Sequence, residues 1–439
     1  MCLDGPNKHG CSKLKGEGGL QKIRDLDDRL VKTARSIRVL GTLGWDESTA
    51  SIFLESWRAG QPRLPEIPSK VPDLSSPKEE LAQIIAALDS DHPVGLFLKE
   101  TAQSYLDASI MLENFGHPVF SELSRKIYGS PRDPIIRGLG SNREAAQYFL
   151  DVTHDYLETC QSESTDYCIT PQYVASFMEE HIRKNFPDES ISILIDPMLA
   201  SKAAAGANRI RIRGSTCYSP LDLPQLLHHE LLVHSLTAIN GAHQTNLKSL
   251  ALSAPRTTAT QEGLAIFAEM ITNSMDLPRL RRVAARVIAI DLALGGADFI
   301  EVFRYFLKTG QSDFEAFHSS MRVFRGGRVQ GGVAFTKDVV YLEGFVRVHE
   351  FLRNSILDSN IENSHRLFAG RLWTHGVDKL APFFESRFIQ APRYEPAWVS
   401  NRSTLAAFLL YSDFTRRLHL GRLERSTRSV RIPLSSLDI

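Results

Sequence analysis

The sequence predicts a mainly helical α+β protein with one small β-sheet. Two observations carry that prediction. Apolar residues recur at three- and four-residue spacing along most of the 439 residues, and strand-like alternation is confined to two short runs, Ser190–Asp196 and Arg209–Gly214. A chain this long can bury a sizeable core, and length alone permits roughly two or three domains.

Residues 1–17 are rich in Gly, Lys and polar groups and read as a disordered tail. From Leu20 to Leu43 the apolar positions Ile23, Leu26, Leu30, Ala34 and Ile37 mark an amphipathic helix. The proline-rich stretch Gln61–Pro77 is the best linker candidate. Helical patterns follow near 78–89, 93–115, 141–160 and 171–186, and resume at Leu277–Thr309, Thr336–Ile356, Val377–Ile389 and Thr404–Leu418. In Arg209-Ile210-Arg211-Ile212-Arg213 the arginines share one strand face and the isoleucines the other. No internal repeat and no low-complexity tract interrupts this pattern.

Composition narrows the class. Fifty-one basic and 51 acidic residues cancel, which gives no global pull toward nucleic acid or anionic membrane. No apolar run approaches the ~20 residues needed to span a bilayer. Met1–Pro6 lacks the apolar stretch of a signal peptide. The five cysteines, Cys2, Cys11, Cys160, Cys168 and Cys217, show no paired ligand spacing; Cys2, His9 and Cys11 read as part of the floppy terminus. The expectation is free thiols in a reducing, cytoplasmic setting. Oligomeric state is not legible.

Chemistry concentrates in His229-Glu230-Leu231-Leu232-Val233-His234 and, downstream, Gln261-Glu262-Gly263-Leu264-Ala265. Two histidines and a carboxylate are the three protein ligands of a catalytic zinc, with one position left open. Histidines four apart lie about 40° from each other around a helix, whereas five apart gives about 140°, too wide to share an ion. One extra residue inside the helix, a π-bulge, restores a common side, so an i→i+5 bond is required between His229 and His234. Glu230 is placed to act as the general base that activates water at the metal. In the second segment Pro255 ends a connection, Thr257, Thr258 and Thr260 offer N-cap oxygens, and Glu262 falls in the first helical turn. Gly263 costs helix stability and marks a close approach by another backbone or an ion. Glu269 is the rival third ligand, or a partner for an imidazole N–H.

These two motifs resemble those of bacterial proteins named for QEGLA and described as flavohaemoglobin expression modulators. That family in turn resembles the microtubule-associated tyrosine carboxypeptidases of animals, which trim a C-terminal tyrosine from tubulin. The likeness extends to Leu236–Gly241 and Phe335–Tyr341 and covers roughly residues 20–420. It implies a helical zinc-metallopeptidase fold over 18–420, with a helical part at about 18–188 and a zinc-site part at about 189–420. It also implies one zinc ion on His229, His234 and Glu262, Glu230 as the catalytic carboxylate, and the C-terminus of a peptide or protein as substrate. Dipeptidyl peptidase III shares the His-Glu-x-x-x-His spacing and is the alternative exopeptidase. A non-enzymatic regulatory protein is the alternative from another class.

A carboxypeptidase must bind a free carboxylate, best met by Arg or Lys. The candidates are Arg325 and Arg328 in the glycine-rich run Phe324–Gly332, together with Lys337. Tyr341 is the candidate oxyanion donor, or else a buried tyrosine on an apolar helix. Arg211 belongs to the strand expected as the sheet edge before the zinc helix, where substrate backbone could pair. Residues 421–439 read as a basic extension; Arg416 to Arg431 carries six arginines.

Overall fold

The computed structural model describes residues 17–417 apart from 47, 68–70, 136–139, 155, 157–167, 198 and 200. The expected N-terminal tail with Cys2, His9 and Cys11, and the extension 421–439, therefore lie outside the described residues. What is described is mainly helical around one continuous apolar core that runs from Ile23 to Leu409.

The amphipathic run Leu20–Leu43 divides in two. Helix Glu17–Ala34 buries Ile23, Leu26, Leu30 and Ala34, and a short helix Val39–Thr42 follows. At the break Ser36 Oγ donates to Thr33 O at 2.7 Å, taking a carbonyl the helix would have used. The proline-rich connection is anchored to the core: Leu74 is buried, and its N–H donates to Glu113 Oε1 at 3.0 Å. Helix Ser75–Ala87 then leads to Pro93–Leu112, which starts with proline in its first turn, capped by His92, and is buried along most of its length. Helix Pro118–Tyr128, which the periodicity missed, matters for the site. Ser121 Oγ donates to Ala334 O (2.9 Å) and accepts from Ala334 N (2.8 Å), and Ser124 Oγ accepts from Thr336 N (2.8 Å). Two hydroxyls thus pin the backbone leading into Lys337 and Tyr341.

The sheet has three strands, β1 (Ser192–Asp196), β2 (Ala203–Ala205) and β3 (Arg209–Arg213), in the order β1-β3-β2. β3 runs parallel to β1, with Ile193 opposite Ile210, and antiparallel to β2. This corrects the expected edge position: the Arg-Ile strand is central, and the edge facing the cavity described below belongs to β2. Three consecutive alanines carry no alternation, so β2 left no mark in the sequence. The arginine face is not uniformly exposed: Arg213 is buried and its Nε donates to Leu199 O at 2.7 Å.

A further correction concerns thiols. Cys168 and Cys217 are joined as a disulfide across a separation of 49 residues, beside the bridge between Ile169 and Tyr218. Disulfides persist in oxidising surroundings, which removes the argument for a reducing compartment. The other three cysteines lie outside the described residues. No described helix is long and apolar enough to cross a membrane.

Candidate metal centre

After helix Asp222–Leu226 the chain winds as a π-helix over Leu227–Ser235, then returns to α-helix at Leu236–Ala242. The wider winding is what five-residue spacing demands. It turns His229 and His234 to one side, with ring centroids 4.9 Å apart.

Helix Thr258–Ile271 supplies the third group. The expected threonine cap is corrected: Thr257 occupies the N-cap position, but its hydroxyl donates to Ala254 O at 2.9 Å within the 3₁₀ turn Pro255–Thr257. That turn starts the winding early, so Glu262 falls just beyond the first α-turn. Gly263 answers to packing. A Cβ there would lie 2.2 Å from the carbonyl oxygen of Gly344, and one on Gly344 would lie 2.0 Å from that of Ala259. Helix Val340–Leu357 therefore crosses at backbone contact, and its Tyr341 lines the same cavity as Glu262.

Glu262 Oε2 lies 3.5 Å from His229 Nε2 and 3.5 Å from His234 Nε2. The three donor atoms lie within 4.8 Å of one another, close enough for one ion. Among the described residues nothing donates to the buried Oε2, while Oε1 accepts from Lys337 Nζ at 2.9 Å. A buried, unsatisfied carboxylate oxygen is costly, and a cation among these donors would satisfy it. The residues present fit a metal.

Around this trio, Glu269 Oε1 accepts from His229 Nδ1 at 2.6 Å and is held by Arg279 through contacts of 3.0 and 2.9 Å. Proton on Nδ1 leaves the Nε2 lone pair free to coordinate. Glu269 is thus the partner of an imidazole and stands outside the trio. Burial favours its neutral form, yet Arg279 and His229 hold it down at about 2. Burial also pulls His229 down, but Glu262 and Glu269 outweigh it and push the imidazole up to about 10. The same negative field that holds a proton there attracts a metal cation, and the two compete for one nitrogen. For Glu262 burial is overcome by Lys337 and both imidazoles, which keep it far below the usual carboxylate range.

The trio opens on a cavity of about 560 Å³ lined also by Glu230, Tyr341, Lys337, Arg322, Arg371, Tyr105 and Tyr128. Glu230 is 9% exposed and its carboxylate has no hydrogen-bond partner among the described residues. Tyr341 Oη accepts from Arg322 Nη2 at 3.3 Å, which leaves its own proton to donate. Arg322 grips Asp338 through both carboxylate oxygens, at 2.6 and 2.7 Å.

Of the residues expected to meet substrate, Lys337 reaches this cavity, and there it is bound to Glu262. Arg325 is buried with its guanidinium over the Phe335 ring at 5.3 Å and does not line the cavity. Arg328 lines a separate pocket with Trp45 and Gly327. Arg211 pairs with Asp196 at 3.4 Å on the sheet. Arg322, Arg371, Tyr105 and Tyr128 stand there in their place. None carried a motif, and each reaches the site from a helix or loop far away in sequence.

Fold and site together define a helical protein with a buried His-His-Glu centre able to hold a metal ion at a cavity. The chain belongs to the microtubule-associated tyrosine carboxypeptidase family, whose model matches residues 53–417. No curated protein matches it. The family points to a carboxypeptidase, a hydrolase.

Proposed function

We propose that this chain is a zinc-dependent carboxypeptidase of the QEGLA-motif branch, releasing one C-terminal residue, aromatic by analogy with the family name. The observation that carries the reading is the unsatisfied Glu262 Oε2, 3.5 Å from both imidazole Nε2 atoms. His229, His234 and Glu262 would hold one zinc ion. When bound, zinc polarises a carbonyl and makes water acidic near neutrality.

The chain's own groups supply the rest. Glu230, without a hydrogen-bond partner among the described residues and open to the cavity, takes the proton of the attacking water and returns it to the leaving amine. Tyr341 donates to the peptide carbonyl oxygen as charge develops there, its orientation set by Arg322 and Asp338. Lys337 keeps Glu262 anionic. Glu269 and Arg279 fix the His229 ring. Carboxylates would be needed to catch the N-terminal ammonium of a dipeptidyl-peptidase substrate. Among described residues the only ones lining the cavity are Glu230 and Glu262, both already in use.

Peptides blocked at one end test this. A C-terminal amide is expected to abolish cleavage and N-acetylation to leave it intact, with chelator stopping the reaction and zinc restoring it. Equal cleavage of amidated peptide, or a requirement for a free N-terminus, would contradict the reading.

A further inference from the structure

Five basic side chains other than histidine line the cavity: Arg35, Arg38, Arg322, Lys337 and Arg371. Arg322 is committed to Asp338, and Lys337 to Glu262. Arg35 and Arg38 are exposed at the mouth. Arg371 differs from all four: it is 8% exposed and forms no salt bridge among the described residues, Glu262 acting on it only at longer range. Nη2 donates to His234 O at 3.3 Å, and Nε is buried without an acceptor. Its backbone is fixed, since Arg371 N donates to Leu250 O at 2.7 Å. A Cβ on the preceding Gly370 would lie 2.8 Å from that same oxygen, so glycine permits the approach.

A buried guanidinium without an ion pair at contact distance is costly, and proteins rarely leave one in that state. Here it lines the cavity of the metal-site donors. We propose that Arg371 is the anchor for the free C-terminal carboxylate of the substrate, completing its ion pair only when peptide is bound. The proposal rests on the carboxypeptidase reading and adds the residue that selects for a chain end. A planar fork suits a carboxylate better than an ammonium does. The contact with the His234 carbonyl fixes the fork relative to the second histidine, and so sets how far a terminal carboxylate sits from the reacting bond.

The test uses the full chain carrying Glu230→Gln, so that peptide is not consumed, and measures calorimetric binding of a short peptide ending in tyrosine, as free acid and as amide. The acid is expected to bind at least about tenfold more tightly, the range of a hydrogen bond to a charged group. Adding Arg371→Gln is expected to bring acid and amide to within about twofold of each other. Arg371→Lys should keep part of the preference, having the charge without the fork. Affinity for the amide should stay unchanged in both, whereas a purely structural arginine would weaken acid and amide alike. Persistence of the acid preference in Arg371→Gln, or parallel loss of both peptides, would overturn the anchor. Equal binding of acid and amide before Arg371 is changed would overturn the anchor and leave the hydrolytic centre standing. Failure of either peptide to bind at all would overturn the carboxypeptidase reading with it.

Discussion

The two motif-bearing helices reach the same point by different means. Leu227–Ser235 brings its histidines together by winding, adding a residue per turn so that a five-residue gap acts as a four-residue one. Thr258–Ile271 keeps regular winding and brings Glu262 in by packing, through backbone contact between Gly263 and Gly344. One thing follows: a site shared by two helices can be spoiled without touching a donor atom, and differently on each side.

The largest expected effect lies on the wound helix. Glu230→Gln should lower turnover about a thousandfold while metal content stays unchanged, as for a lost general base; steady-state kinetics with metal analysis checks both. On the packed helix, Glu269→Gln leaves Arg279 buried without its charge partner. We expect a loss of about 3–5 kcal/mol in urea unfolding and metal affinity weaker by about 10–100-fold. Gly263→Ala places a methyl against the Gly344 carbonyl and should cost about 1–3 kcal/mol as the helices separate. Metal affinity should fall with it, because Glu262 moves with the helix. The smallest effect belongs to the tie between the helices, where Thr237 Oγ1 donates to Gln261 Oε1 at 2.8 Å. Thr237→Val should lower stability by about 1 kcal/mol and leave turnover nearly intact.

The same contrast explains what was legible in the sequence. A π-bulge follows from spacing alone, because helix geometry allows no other way for His229 and His234 to share a ligand. Glu262 and Glu269 could not be ranked by spacing. Their roles depend on Lys337, Arg279 and Gly344, which arrive from other helices. Gly263 announced a close approach but not its partner. β2 was invisible because alanine has no polar alternation to display, and the Arg-Ile strand was consequently assigned to the wrong place in the sheet. Arg325 and Arg328 were expected at the substrate for a related reason: a glycine-rich loop is conspicuous in sequence, whereas a single arginine such as Arg371 gains meaning only from its surroundings in the fold.

Elemental analysis of the purified full chain after zinc loading asks whether the His-His-Glu trio binds a metal. We expect close to one zinc per chain, lost in His234→Gln and in Glu262→Gln variants that still melt cooperatively. A parent protein that holds no zinc, or variants that retain it in full, would rule out His229, His234 and Glu262 as a zinc site.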